Sequence, residues 1–122
     1  AADTQVALAS PGRTVQGLLR AAQASAVAWG ARTAVNLPAL TTTVGAMAQA
    51  LEDIAGPAAT ALLDWEPDAR IAAIVTAWPS RVHSARATAL GLLADASFND
   101  ILREYVQENP GAVRHPLLEK HT

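Results

Sequence analysis

Apolar residues recur along much of this chain with the three-to-four-residue spacing of amphipathic helices. The clearest stripe follows Thr43, a residue type that caps helix N-termini, and stops before Gly56-Pro57, a pair that ends helices. This pattern predicts a helix from about residue 44 to residue 55. Its apolar face consists of Val44, Met47, Ala48, Leu51, Ile54 and Ala55.

Four more helices are predicted from the same combination of a capping residue and an apolar stripe. Their caps are Ser10 (before Pro11), Asp68, Ser84 and Ser97, the last with Asp100 three positions on as a variant of the capping box. The stripes of the first, second and last of these helices are Val15, Leu18, Leu19 and Ala22; Ile71, Ile74, Val75 and Trp78; and Phe98, Ile101, Leu102, Tyr105 and Val106. The helix that Ser84 caps is short and runs through Thr88 to Leu90. Pro79 and Gly91 end the second and third of these helices, and a helical turn is predicted at residues 58–62.

Two short apolar runs are compatible with strands. Residues 6–9 form the first, and residues 33–36 form the second, which Leu37-Pro38 closes. Residues 63–66 could add an extended edge before Pro67. We therefore predict an α+β fold that is dominated by helices and has two or three short strands.

The composition fits one small domain with a thin core. The chain has 122 residues, of which 51% are hydrophobic, but many of these are alanines and only three tryptophans, one tyrosine and one phenylalanine add large rings. Alanine favours helix while burying little area. We assign residues 1–109 to a single lobe and residues 110–122 to a C-terminal tail, and we expect another domain to complete one face of the lobe.

Charge and cysteine content exclude several classes of function. A net charge of −2 with scattered basic residues gives no footprint for nucleic acid. There is no cysteine, and His83, His115 and His121 are too scattered for zinc, so we expect no metal. No apolar run approaches the roughly 18 residues of a spanning helix, and no leader pattern opens the chain. We expect a cytoplasmic protein that does not bind membranes.

Arg81 is the strongest candidate for chemistry. It follows the helix-stopping Pro79, so a turn is predicted there. The planar guanidinium fork suits a carboxylate or a phosphate better than other side chains do. A solvated arginine, or a salt bridge to Glu66 or Asp68, is an equally good interpretation, and Arg86 is expected to be structural.

The order of several short motifs resembles the C-terminal part of extended short-chain dehydrogenase/reductases in the NAD-dependent epimerase/dehydratase family, most closely the D-erythronate dehydrogenase branch. The resemblance covers about residues 5 to 109. The motifs here are Asn36-Leu37-Pro38-Ala39-Leu40, Thr43-Val44-Gly45, Trp65-Glu66-Pro67-Asp68, Trp78-Pro79-Ser80-Arg81-Val82-His83, Arg86-Ala87, Leu90-Gly91-Leu92, Asp95-Ala96-Ser97-Phe98 and Tyr105.

The catalytic signatures of that family are missing from these residues. Its enzymes bind a dinucleotide at a Gly-x-Gly-x-x-Gly turn and use a Tyr-x-x-x-Lys pair, whereas the seven glycines here never take that spacing. Asn109 stands four positions after Tyr105, and the sole lysine is Lys120. The resemblance therefore implies a substrate-binding lobe without its Rossmann half, with NAD bound by the parent enzyme and no catalysis by this chain alone.

The resemblance also implies where substrate would bind. Arg81 would grip the anionic end of a hydroxy acid or sugar substrate, and Ser10 and Arg13 would lie at the head of a nearby helix. His83 replaces an aspartate of the family pattern, which exchanges an anion for a titratable ring. For Trp65 and Trp78, core packing is expected rather than ligand stacking.

Two classes of function follow. The first is the substrate-binding lobe of an NAD-dependent oxidoreductase acting on a small hydroxy acid, or its neighbour, the lobe of a nucleotide-sugar epimerase. The second is a free-standing binding or assembly module that keeps the lobe's fold and uses its alanine-rich surface for self-association.

Overall fold

A computed structural model describes residues 1–114 and contains a two-stranded antiparallel sheet surrounded by helices. Strand β1 (Gln5–Leu8) pairs with β2 (Leu40–Thr43), so that Gln5 lies opposite Thr43 and Leu8 lies opposite Leu40. The β-branched threonines of β2 suit an extended ladder. The expected helix-dominated α+β fold with two short strands is confirmed.

The helices occupy most of the remaining chain. In order they are α1 (Pro11–Gln23), α2 (Ala26–Trp29), α3 (Val44–Ala55), α4 (Pro57–Thr60), α5 (Ala69–Thr76), α6 (Ala85–Ala89) and α7 (Phe98–Glu108), followed by a short 3-10 helix, Pro110–Ala112. All five predicted caps accept hydrogen bonds from backbone amides at their helix starts, as capping chemistry requires. Helix α2, capped by Ser25, and the 3-10 helix were not predicted.

The predicted strand at residues 33–36 is wrong, because no strand forms there and β2 begins at Leu40. The Arg86 side chain binds this part of the chain instead. Its guanidinium donates hydrogen bonds to the carbonyl oxygens of Trp29, Arg32 and Ala34. The Ala34 carbonyl lies within the predicted strand, so a side chain and not a neighbouring strand supplies its donor.

Residues 63–66 also form no strand among the described residues. The expected burial of two tryptophans is wrong as well, since Trp65 is 51% exposed and Trp78 is 63% exposed. Trp78 follows the end of α5, and most of α5 is itself exposed, so this helix offers no packed surface to cover the ring.

The core is thin, as the alanine content predicted. Within residues 1–114, the apolar side chains that are buried are Ala50, Ala59, Ala87 and Leu92. Helix α3 packs against α4 and α7, and Ala50 is its buried residue. An alanine side chain removes little area from water, so hydrophobic burial alone stabilises this lobe weakly.

Hydrogen bonds to two carboxylates hold the start of α1. The buried Ser10 amide donates to Asp95 Oδ2 at 2.7 Å, and the Gly12 amide donates to Glu104 Oε1 at 2.9 Å. A Cβ at position 12 would come too close to that carboxylate oxygen, so a larger residue there would require the Glu104 side chain to move. Negative charge at a helix N-terminus is stabilising, so the pair fixes α1 to α7 and to the loop before it.

Two helices leave their apolar positions on the surface. On α1, Val15 is 55% exposed, Leu18 67% and Leu19 57%, whereas its buried residue is Gly17, which lies against the Leu37 side chain. On α5, Ile71 and Ile74 are also more than half exposed. The apolar stripes of α1 and α5 predicted these two helices correctly, but their large apolar side chains do not face the core.

Of the expected tail, residues 110–112 form the 3-10 helix, and residues 115–122, including His115, Lys120 and His121, lie outside the described residues. In residues 1–114 no helix has the length and hydropathy that crossing a lipid bilayer demands.

Replacing Asp95 tests the anchor of α1. In Asp95→Ala the buried Ser10 amide loses its acceptor, and we expect the free energy of unfolding to fall by about 1–3 kcal/mol. Asp95→Asn retains a side-chain oxygen and should lose less. Urea unfolding monitored by circular dichroism measures both.

Asp53→Ala is the control, because it removes an exposed carboxylate bonded to the side chain of Gln49 and should change stability by less than about 0.5 kcal/mol. Equal losses for Asp95→Ala and Asp53→Ala would contradict the anchoring role.

Candidate substrate-binding site

Arg81 lies in the turn formed by residues 79–84, between α5 and α6. Two hydrogen bonds attach this turn to the sheet: Thr41 Oγ1 donates to the Ser80 carbonyl oxygen at 3.0 Å, and Ser80 Oγ donates to Gln5 Oε1 at 3.3 Å. The residue directly before Arg81 is therefore held on both its main chain and its side chain.

The Arg81 side chain is exposed and has no hydrogen bond or ion pair to any residue between 1 and 114. The alternative salt bridge to Glu66 or Asp68 is therefore not formed. Asp68 instead caps α5 through the Arg70 and Ile71 amides, and its carboxylate lies 3.9 Å from the Arg70 side chain. The guanidinium fork of Arg81 is thus available to an external anion.

His83 lies two positions further along the same turn and is exposed. The residues that the structure describes contain no group of three histidine, aspartate, glutamate or cysteine side chains placed to hold a metal ion. The exposed ring can donate or accept one hydrogen bond near the anion that Arg81 would bind.

Ser10 and Arg13 lie at the start of α1, as expected for the head of a helix. Ser10 is 1% exposed, and its hydroxyl oxygen accepts from the Arg13 amide at 3.1 Å. The Arg13 guanidinium donates to Gln16 Oε1 at 2.7 Å. No hydrogen bond or ion pair within residues 1–114 joins this pair to Arg81 or His83, so the four expected contacts form two separate groups.

A cleft of about 320 Å³ beside α1 contains Arg13 together with three carboxylates. Its charged residues are Arg13, Asp95, Asp100 and Glu104. Asp95 and Glu104 already accept from the α1 amides, and Asp100 accepts from the Ser97 hydroxyl and from Arg103. An anion entering this cleft meets more negative than positive charge, whereas no carboxylate forms an ion pair with Arg81 in the described chain.

A larger apolar groove of about 460 Å³ lies between α3, α7 and residues 63–67. Trp65 lines it, with Asp64 and Glu66 beside the ring. The sequence analysis expected Trp65 to pack in the core and residues 63–66 to form an extended edge, so it did not predict the groove. The remaining lining is Ala1, Val44, Met47, Ala48, Leu51, Leu63, Pro67, Phe98 and Leu102.

Arg86 has a structural position. Its three carbonyl acceptors are spread over residues 29–34, and its guanidinium carbon lies 6.0 Å from the centre of the Trp29 ring. Such a geometry needs the fixed fork of an arginine. The Arg86 side chain therefore ties α6 to the loop before β2. The adjacent Ala87 on α6 is fully buried.

Comparison with protein-family models gives no match. Among curated proteins, the D-erythronate dehydrogenase of Cupriavidus necator is 37% identical over 108 residues, which is 88% of this chain and 33% of that protein. The D-erythronate dehydrogenase of Haemophilus influenzae is 30% identical over 100 residues, covering 82% of this chain and 32% of the relative. The chain thus spans about one third of the length of the curated relatives it matches.

A solved structure is also similar. The nucleoside-diphosphate-sugar epimerase from Agrobacterium tumefaciens superimposes with a TM-score of 0.87 at 29% identity, over 93% of this chain and 33% of the epimerase. The resemblance to one part of a D-erythronate dehydrogenase-like enzyme, inferred from the order of the motifs, is confirmed.

Arg86→Lys tests the carbonyl clamp. A lysine ammonium cannot reproduce the fork, so several carbonyls lose their donor, and we expect a loss of about 1–3 kcal/mol in the free energy of unfolding. Chemical denaturation measures the effect. The matched control is Arg32→Lys, since Arg32 is exposed and its side chain forms no hydrogen bond or ion pair within residues 1–114, although its carbonyl oxygen accepts from Arg86. A stable Arg86→Lys variant would show that the clamp contributes little.

Proposed function

We propose that this chain, which is homologous to one third of D-erythronate dehydrogenase, is the C-terminal substrate-binding part of a cytoplasmic, NAD-dependent oxidoreductase that acts on a small hydroxy acid. The similarity over most of the chain carries this proposal. Residues 1–109 would form the substrate-binding lobe and residues 110–122 its tail. The net charge of −2 disfavours nucleic acid and anionic membranes, whereas the exposed Arg81 fork suits a small anionic substrate.

Arg81 is the main substrate contact in this proposal. Its guanidinium offers two parallel donors to a carboxylate, and charge-assisted pairs of this kind are stronger than neutral hydrogen bonds. His83 supplies a second polar contact from the same turn. Arg13 lies in the first turn of α1, which is the second element in this proposal. Ser10 contributes by capping the N-terminus of α1.

The chemistry would come from the rest of the parent enzyme. The residues present do not fit a dinucleotide, because the seven glycines lack the Gly-x-Gly-x-x-Gly spacing and the α1 amides beside β1 already donate to Asp95 and Glu104. Tyr105 has no lysine four positions later. We therefore assign this chain a binding role and no catalysis of its own.

The exposed apolar positions of α1 and α5 support a missing partner domain. A lobe whose buried apolar residues, within the described chain, are three alanines and one leucine gains stability when such faces are covered. The relatives are about three times longer than the aligned segment, so their remaining length is ample for a dinucleotide-binding domain. We propose that this domain covers the apolar faces of α1 and α5.

Two other functions have specific support. The structural similarity to the nucleoside-diphosphate-sugar epimerase favours the same lobe acting on a nucleotide sugar, with Arg81 contacting a phosphate. The exposed faces of α1 and α5 favour a stand-alone assembly module that buries them in a second copy. Ligand titration separates the first from a hydroxy-acid lobe, and sedimentation tests the second.

Removing the Arg81 fork should weaken binding of a small hydroxy acid. We expect D-erythronate to shift the amide resonances of residues 80–84 in a two-dimensional NMR titration. Arg81→Ala should raise the dissociation constant by about tenfold or more, because a charged hydrogen-bonded pair contributes roughly 1.5–3 kcal/mol. With NAD added, no NADH should form.

Arg32→Ala is the control for this titration, since it removes another exposed positive charge without touching the turn. Absence of binding by the wild-type chain at millimolar ligand, an unchanged Arg81→Ala variant, or NADH formation by the chain alone would each refute part of the proposal. Tighter binding of a uridine diphosphate sugar than of D-erythronate would favour the epimerase-type lobe.

Leu18→Glu tests assembly. If α1 packs in a second copy, sedimentation of the wild-type chain should reveal a dimer that Leu18→Glu abolishes, because a charge in an apolar contact is costly. If the face instead awaits another domain, both proteins remain monomers at concentrations up to about 100 micromolar, well above the dissociation constants of stable dimers. The exposed Gln16→Glu change on the same helix is the charge-matched control.

A further inference from the structure

The sheet holds the turn that carries Arg81 from one of its two faces. Gln5 lies opposite Thr43 in the ladder and Ala7 lies opposite Thr41, so the side chains of Gln5 and Thr41 project from the same face. Thr42, the residue between Thr41 and Thr43, projects from the other face. Both side chains on the first face reach Ser80.

The bond from Thr41 acts on the peptide unit that leads directly into Arg81. The Ser80 carbonyl and the Arg81 amide belong to one planar unit, so fixing the oxygen also fixes the direction in which the chain enters Arg81. On the other side of Ser80, the ring of Pro79 restricts the backbone. Few rotations therefore remain between the sheet and the Cα atom of Arg81.

From this geometry we propose that Thr41 and Gln5 are positioning residues for Arg81, acting through Ser80. The inference rests on the proposed function, in which Arg81 grips the carboxylate of a small hydroxy acid. An exposed arginine loses rotational freedom when it forms a bidentate contact. Because the backbone of the turn is already held by the sheet, less ordering remains to be done when the anion binds, and the fork meets the ligand from a fixed origin.

Thr41→Val is the most direct test, because it removes the donor and keeps both the shape and the preference for a strand. We expect the dissociation constant for D-erythronate, measured by NMR titration of the full 122-residue chain, to rise about threefold to tenfold, because the turn would then have to be ordered when the ligand binds. Gln5→Leu should act in the same direction. Thr41→Ser restores the hydroxyl and should bind like the wild-type chain.

Thr42→Val is the matched control, since it removes a hydroxyl from the same strand on the opposite face. In the Arg81→Ala background, Thr41→Val should have no further effect on affinity, because its influence is exerted through Arg81. The heteronuclear NOE of the Arg81 amide should fall in Thr41→Val and remain unchanged in Thr42→Val, which reports the loosened turn without any ligand.

The outcomes separate the two proposals. If Arg81→Ala binds D-erythronate as well as the wild-type chain does, the proposed function of Arg81 is wrong, and the positioning role falls with it. If Arg81→Ala weakens binding but Thr41→Val and Gln5→Leu leave both affinity and the NOE unchanged, only the positioning role is overturned. An equal loss in Thr41→Val with and without Arg81 would assign Thr41 a purely structural role.

Discussion

The described fold depends on two hydrogen bonds from backbone amides at the start of α1 to carboxylates elsewhere in the chain. Asp95 and Glu104 come from segments 85 and 92 residues away from the amides that they accept from. Because the core consists mainly of alanines, such charged hydrogen bonds carry a larger share of the connections between elements than they do in a domain with a large apolar core. They bring α7 to the end of β1, and they occupy helix amides that would otherwise attract an external anion. In the turn that Ser80 attaches to the sheet, the Arg81 guanidinium has no hydrogen bond or ion pair within the described residues.

Local chemistry was readable from the sequence. Each predicted cap places its side-chain oxygen on the first-turn amides of the helix that it opens, because capping depends on residues within three positions of one another. The apolar stripes gave the helices correctly for the same reason. The direction in which a stripe faces is a different quantity. Leu18 and Ile74 follow the helical period perfectly well, yet they remain exposed, since burial depends on which other element is present to cover them.

Long-range polar contacts could not be predicted in the same way. Nothing in the residues near Trp29 or Ala34 indicates that Arg86, more than 50 positions later, donates to their carbonyl oxygens, or that residues 33–36 form no strand. The turn at Arg81 shows both sides of this limit. Pro79 made a turn predictable and the arginine made an anion contact plausible, but the attachment of Ser80 to Thr41 and Gln5 joins residues 39 and 75 positions apart.

The thin core and the anchored turn have one explanation in common, which separates the positioning of a charged side chain from the stability of the lobe. A binding lobe needs a fixed origin for its charged side chain more than it needs high stability of its own, provided that another domain supplies further burial. Here the hydrogen bond from Thr41 to Ser80 fixes that origin at low cost in buried area. Arg86 and Asp95 hold residues 29–34 and Ser10 by the same kind of bond between a side chain and the backbone. The apolar faces of α1 and α5 then remain available for the domain proposed above. On this argument, that domain would also stabilise the fold, and substrate contacts and domain contacts would be made by different surfaces of the lobe.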